Sequence, residues 1–279
     1  MAGSSTSISD LMAGKRGVIM GVANDHSIAW GIARSLAAHG AELAFTYQGE
    51  AQGKRVLPLA DSVGSDIAIA CDVASDEEID HAFAAIARRW DRIDFLVHAI
   101  AYSDRNELKG RYVETSRGNF LSTLSISCYS FTAVARRCAP LMREGGAMVA
   151  LTFGGASRVM PNYNVMGVAK AALEASVRYL AADLGKDGIR VNAISAGPMR
   201  TLAGAGVGDA RLVYKWNKAH SPLKKNIQLD DVGGAALYLL SSLSSGVTGE
   251  VHFVDAGYNI ISMPQTQDLK GWIAPENGD

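Results

Sequence analysis

The sequence predicts a doubly wound α/β fold: one domain over residues 1–279, built on a parallel seven-stranded sheet with helices on both faces. Three observations carry that expectation. Short β-rich runs alternate with helical patterns from residue 16 onward, as parallel strands joined by crossover helices do. No internal repeat, low-complexity tract or Pro/Gly/Ser linker divides the chain, so no second domain has a visible boundary. At 279 residues and 48% hydrophobic, the chain is long and apolar enough to bury a full core.

Strands are expected at residues 16–22, 41–47, 66–73, 95–101, 147–153, 189–196 and 251–255. Amphipathic stretches lie between them. The clearest is 75–90, where Ser75 and Glu78 have capping-box spacing and Ile79, Phe83 and Ile86 keep helical spacing. Gly40 is expected to end the first helix and Gly185 a later one, each supplying the left-handed residue such termini favour. Two regions break the alternation: about 198–221, and the tail after Gly257. The first is rich in small residues (TLAGAGVGDA) and follows a strand's carboxyl end, where ligands enter open α/β sheets. It reads as a substrate-covering loop.

Composition excludes several classes. With 27 Lys+Arg against 28 Asp+Glu, the net charge of −1 gives no counterion-release drive towards nucleic acid. The longest apolar runs, such as 235–240, fall far short of the roughly 20 residues that span a bilayer. The first residues, MAGSSTSISDLMAGKRG, are polar where a secretory signal needs an apolar core, so a cytoplasmic location is expected. Cys71, Cys128 and Cys138 form no C-x-x-C pair and stand in apolar segments, the pattern of reduced, buried thiols. None of the six histidines has metal-ligand spacing, and no metal site is expected; His98, inside an apolar strand, reads as a satisfied core residue.

After the first strand comes GVANDHSIAWGIA, with Gly21 at the turn, Ser27 at a helix N-cap and Gly31 inside the helix. A glycine there lets backbone approach a pyrophosphate, and the helix N-terminus offers free N–H groups and a positive dipole end. The spacing is not G-x-G-x-x-G, so an ordinary strand–turn–helix with a packing glycine reads equally well. The second strand closes on Tyr47 and Gln48, where a ribose-selecting acid would stand in a nicotinamide-dependent enzyme. Gln48 can hydrogen-bond an adenosine ribose without repelling a 2′-phosphate. No Arg or Lys adjoins it, Lys54 and Arg55 being several residues on; NADH is favoured, and NADPH stays open. Asp72 and Val73 could bracket adenine, the acid accepting from its amino group, or Asp72 could simply begin a turn.

The most informative stretch is FGGASRVMPNYNVMGVAK, residues 153–170. Tyr163 precedes Lys170 by seven positions, roughly 10 Å of helical rise, so both can share a face without touching. The common reductase motif of this fold, Tyr-x-x-x-Lys with a serine that orients a carbonyl, is not met. Position 167 is Gly167, and Ala150 stands where the serine would be, thirteen residues before the tyrosine. An enoyl thioester poses another geometry: hydride enters at the β-carbon while charge develops on the thioester oxygen, two carbons away. The donor must sit farther from the nicotinamide, and a tyrosine set well apart from the lysine meets that demand. A phenolic O–H aimed at the developing enolate oxygen is worth about 3 kcal/mol of barrier. Lys170 can then hold ribose hydroxyls and contribute positive charge. The bland alternative is a helix-entry tyrosine and a solvated lysine.

These residues resemble the enoyl-acyl-carrier-protein reductases of bacterial type II fatty-acid synthesis, a divergent branch of the short-chain dehydrogenase/reductases with a Rossmann-like fold. Ordered motifs cover nearly the whole chain, from GKRGVIMGVANDHSIAWGIA through GAELAFTYQ, CDV, PNYNVMGVAK and RVNAISAGPMRTLA to GEVHFVDAGY. The resemblance implies reduction of the trans-2 double bond of an enoyl chain carried by acyl carrier protein. A carbonyl reductase acting on a small-molecule ketone and a non-catalytic dinucleotide sensor are the alternatives. It implies further that Gly21, Ser27 and Ile28 line the pyrophosphate, that Gln48 lies near the adenosine ribose, and that Asp72 and Val73 bracket adenine. Ile100 would lie near the cofactor's middle. Met199, Arg200, Thr201, Leu202 and Ala203 would close over the nicotinamide end, Thr201 in reach of the pyrophosphate.

By the same resemblance Tyr163 and Lys170 take the catalytic roles, Lys170 also holding the cofactor. Phe153, Pro161, Tyr163, Met166 and Met199 would line the acyl pocket, although core packing explains Phe153 and Met166 as well. Many members carry a second tyrosine at the position of Phe153; without its hydroxyl, the proton path is expected to run through the cofactor ribose and Lys170. Within 209–225, Arg211, Lys215, Lys218, Lys224 and Lys225 oppose only Asp209. That patch is either a docking surface for an acidic acyl carrier protein or a set of solvated loop charges. A homotetramer is also implied.

Overall fold

In a computed structural model, which describes residues 10–199, 210–263 and 265, all seven expected strands form. They are β1 (Arg16–Met20), β2 (Glu42–Tyr47), β3 (Ile67–Ala70), β4 (Phe95–His98), β5 (Gly146–Thr152), β6 (Ile189–Ala196) and β7 (Val251–Val254). All pair in parallel, in the order β3-β2-β1-β4-β5-β6-β7. Strand alternation sends Val18, Met20, Leu96, Met148 and Ala150 to one face, and Ile19, Phe45, Val97, Val149 and Ile194 to the other. Both faces are covered, which is why the strands read as continuous apolar runs.

Helices α3 (Asp76–Arg89), α5 (Ser130–Cys138) and α6 (Asn164–Leu184) cover the first face. Helices α1 (Ile28–Ala38), α2 (Gly49–Ser62) and α8 (Leu229–Leu240) cover the second. Helix α4 (Arg117–Leu124) runs into α5 through a π turn, Ser125–Tyr129, and α7 (Ala210–His220) stands over the carboxyl ends of the last strands. Gly31 is a packing glycine: a Cβ there would lie 2.7 Å from the Leu229 Cβ on α8.

Several local expectations are corrected. Ser75 Oγ accepts from the Glu78 N–H at 3.2 Å, but the Glu78 carboxylate accepts from the Asp72 N–H at 2.7 Å, so only half of the capping box forms. Gly40 ends α1 with φ +91°, as expected, whereas Gly185 is right-handed at φ −59°. A 3₁₀ turn, Gly185–Asp187, tightens the end of α6 and postpones the left-handed residue to Gly188, at φ +72°. The cysteines are free, but Cys128 is half-buried, because the π turn sets it beside Ser176 at 3.5 Å. Among the described residues, no helix is long and apolar enough to cross a membrane, and no His/Cys/Asp/Glu group could hold a metal ion.

Candidate active site

Strand order reverses between β1 and β4, and open α/β sheets take their ligands outside the carboxyl ends at such a point. Gly21, just past β1, has φ +100°, and a Cβ on it would stand 2.1 Å from the Ala99 carbonyl oxygen past β4. Only glycine fits this approach. Ser27 occupies the N-cap position, but its hydroxyl accepts from the N–H groups of Ala23 at 3.0 Å and Asn24 at 3.1 Å and does not cap α1. The side chain shapes the loop instead. Ile28 therefore opens a helix whose first turn has no side-chain cap, a site suited to an anion.

Gln48 and Asp72, past β2 and β3, are joined: Gln48 Nε2 donates to Asp72 Oδ2 at 2.8 Å. Asp72 Oδ1 accepts from the Ala74 N–H at 2.9 Å, so this acid does begin a turn. Val73 is buried in the core on the α3 side, and Ile100 packs half-buried against the same core. Met199 packs half-buried against the opposite core. Arg200, Thr201, Leu202 and Ala203 lie outside the described residues.

Tyr163 stands at the entry to α6 between Asn162 and Asn164, whose φ values of +56° and +38° are left-handed. Asparagine tolerates that region better than most residues, and Asn164 Nδ2 donates to the Gly110 carbonyl at 3.3 Å. The Tyr163 ring meets Phe153 edge-on, centroids 5.2 Å apart, and packs with Leu108, Val165 and Met166. Burial, with the Glu174 charge second, raises the phenol above its ordinary range, so it remains a protonated donor at neutral pH. Among the described residues no hydrogen bond engages its hydroxyl. Position 167 has no space for the one-turn lysine: a Cβ on Gly167 would lie 2.8 Å from the Gly155 carbonyl oxygen.

Lys170 is not a solvated helix residue. It is 5% exposed, and its Nζ donates to the Leu151 carbonyl of β5 at 2.7 Å. Burial pulls its ammonium down to about 8, partly offset by Cys128 and Glu174. Glu174, one turn on, accepts from Thr152 Oγ1 at 2.8 Å, and burial raises its carboxyl. Beneath them Ser130 donates to the Ile126 carbonyl at 2.6 Å and so accepts from His98 Nε2 at 2.8 Å. His98 Nδ1 has no partner, so the histidine is half satisfied rather than satisfied. Burial and then the Lys170 charge hold His98 at about 3, neutral in the working range.

Beside Phe153 a cavity of about 270 Å³ extends over the carboxyl ends of β5, β6 and β7, under α7. Of the residues read as acyl lining, Phe153 and Pro161 border it; Tyr163 does not, and packs edge-on against the Phe153 ring that does. Met166 packs with Leu108 and Val165, as its core reading has it, and Met199 packs half-buried against the core of the second face.

The profile of the family described as "Enoyl-(Acyl carrier protein) reductase" matches residues 21–259. The chain belongs to this family. It is 66% identical over 260 residues to "Enoyl-[acyl-carrier-protein] reductase [NADH] 2" of Rhizobium meliloti, covering 93% of this chain and 97% of that protein. Among solved structures, it resembles FabI of Candidatus Liberibacter asiaticus, with TM-score 0.90, 58% identity, and 92% and 99% of the two chains covered. It also resembles the Anaplasma phagocytophilum enoyl-(acyl-carrier-protein) reductase in complex with NAD, with TM-score 0.89, 58% identity, and 91% and 97% covered.

Some residues of this enoyl reductase's reacting end gave no signal at sequence level. The π turn that carries Ser127 and Cys128 has no marker among its residue types, and Ser127 Oγ, which donates to the Tyr102 carbonyl at 3.0 Å, ties it to the loop past β4. Trp216, Asn217 and Tyr258, which border the cavity, lie in a stretch whose visible signal was its basic charge and in the tail. The left-handed pair Asn162 and Asn164 was visible as PNYN, since asparagine is the residue type enriched in that region.

Proposed function

We propose that this protein reduces the trans-2 double bond of enoyl-acyl-carrier-protein thioesters during fatty-acid elongation, taking hydride from NADH. The reading rests on the seven-residue separation of Tyr163 and Lys170, with a backbone carbonyl filling the place where a one-turn lysine would start. The nucleotide end fits the cofactor: the tight approach at Gly21 and the uncapped start of α1 suit a pyrophosphate. Gln48 brings the Asp72 carboxylate beside the ribose position, where it repels a 2′-phosphate and favours NADH over NADPH. When bound, NADH supplies the hydride to the β-carbon.

The chain's own groups hold the reactants, and the proton that the α-carbon takes up comes from solvent, with Lys170 as the chain's donor on that path. Lys170, with one N–H held by the Leu151 carbonyl, offers its other two to ribose hydroxyls. Tyr163 donates its O–H to the thioester oxygen as negative charge develops there, which stabilises the transition state by about 3 kcal/mol. Phe153 carries no proton; it walls the pocket and excludes water. Following NADH oxidation with crotonyl and longer trans-2-enoyl thioesters, beside a ketone panel, tests the reading. Turnover of the thioesters supports it, and turnover of ketones alone, or cofactor binding with no turnover, contradicts it.

Arg211, Lys215 and Lys218 stand exposed at i, i+4 and i+7 on α7, a face suited to an acidic acyl carrier protein. A homotetramer is supported by exposed apolar side chains on two separate surfaces, Leu121, Tyr129 and Tyr179 along α4–α6, and Tyr238, Leu243 and Phe253 at the β7 edge. Two independent isologous contacts build a dihedral tetramer. A cytoplasmic location is supported by the free thiols, which stay reduced there.

A further inference from the structure

We propose that Asn217 and Tyr258 form a polar end wall that limits how long an apolar acyl tail the cavity accepts, and that binds a hydroxyl offered there; this rests on the enoyl-reductase reading. The cavity runs from Phe153, past β5, across Ser195 on β6 to Tyr258, past β7, a span of two strand spacings or roughly 10 Å. Asn217 on α7 borders it and is 2% exposed. Its Nδ2 donates to Asn226 Oδ1 at 3.1 Å, while Asn226 Nδ2 donates to the Tyr214 carbonyl at 3.0 Å. That chain fixes both amides and leaves Asn217 Oδ1 buried with no partner.

Trp216, the preceding residue, donates its indole N–H to the Tyr258 hydroxyl oxygen at 3.0 Å. An indole N–H can only donate, so Tyr258 accepts there and keeps its own proton to give. One unspent acceptor on α7 and one unspent donor past β7 therefore belong to residues bordering a cavity whose other walls include Phe153, Pro161, Leu212 and Val213. An aliphatic tail that reaches them covers both groups and leaves each without a hydrogen bond. A terminal hydroxyl can accept from Tyr258 and donate to Asn217.

The test is the chain-length profile of kcat/KM with NADH, measured with crotonyl, octenoyl, dodecenoyl and hexadecenoyl thioesters on wild type and Asn217→Leu. The expected result is a drop in the wild-type rate once the tail reaches the wall, and a rise of about five-fold or more in the long-to-short ratio for the variant. An identical ratio in both enzymes overturns the inference. A second arm needs no variant: on wild type, a terminal hydroxyl on the first disfavoured chain should raise kcat/KM about five-fold, the value of one recovered hydrogen bond. No gain also overturns it. Failure of every enoyl thioester, crotonyl included, would instead sink the enoyl-reductase reading beneath it, and is distinguishable from an unchanged length profile.

Discussion

Past β1, β2 and β3, the polar side chains at the carboxyl edge of the sheet are engaged by one another or by loop backbone. Ser27 accepts from the loop N–H groups, Gln48 donates to Asp72, and Glu78 accepts from the Asp72 N–H. On and past β4, β5 and β7, with α6 and α7 beside them, polar atoms are left without a hydrogen bond among the described residues: the Tyr163 hydroxyl, His98 Nδ1 and Asn217 Oδ1. The nucleotide end is thus organised before any ligand arrives. The reacting end keeps donors and acceptors in reserve, in a low-dielectric setting where a hydrogen bond to a developing charge is worth most. That reserve has a cost in stability, since unpaired polar groups are expensive to bury.

The contrast can be broken by substitution. The largest effect is expected at Lys170→Met, which should lower kcat/KM for NADH about a thousandfold, two charge-assisted hydrogen bonds at about 2 kcal/mol each. The same variant should raise Tm by a few degrees. Folding moves this ammonium from 10.5 down to about 8, so at neutral pH the folded state holds a desolvated charge that the unfolded chain does not. The penalty lessens as pH rises from about 8 towards 10.5, and the variant is free of it at every pH. Unchanged NADH kinetics would remove Lys170 from the cofactor site.

The same group sets a pH dependence. The kcat/KM for NADH should stay level up to about pH 8 and then fall roughly tenfold per unit as Lys170 loses its proton. Cys128 and Glu174 favour the ammonium, and His98, facing it from β4, is neutral above about 3. Lys170→Arg should move this alkaline limb out of the accessible range; a limb that stays put belongs to another group. A smaller effect is expected at the prewired end, where Gln48→Leu should weaken NADH binding about five-fold by calorimetry and leave kcat near wild type. The smallest is Ser75→Ala, about 1 kcal/mol of stability in urea unfolding, with NADH affinity intact.

The same division runs through what could be read from residues alone. The seven strands were legible because a parallel sheet buried on both faces demands apolar runs, and the separation of Tyr163 and Lys170 is a matter of counting. Helix ends were less so: Ser27 and Glu78 have the right types at the right spacing, but each is claimed by N–H groups on the loop before its helix. Lys170 read as either clamp or solvated residue, since only the Leu151 carbonyl and the π turn around it decide its burial. The end wall was illegible. Trp216 and Tyr258 are 42 positions apart, and Asn217 sits among charges that make α7 look like a solvated basic face.

The central claim is that a protonated, otherwise unengaged phenol stabilises charge on the thioester oxygen. Its most direct test is single-turnover reduction of a trans-2-enoyl thioester by Tyr163→Phe, with NADH affinity measured on the same preparation. The account predicts a fall in the hydride-transfer rate of about a hundredfold or more, with NADH binding unchanged. Hydride transfer by the Tyr163→Phe variant at the wild-type rate would contradict it.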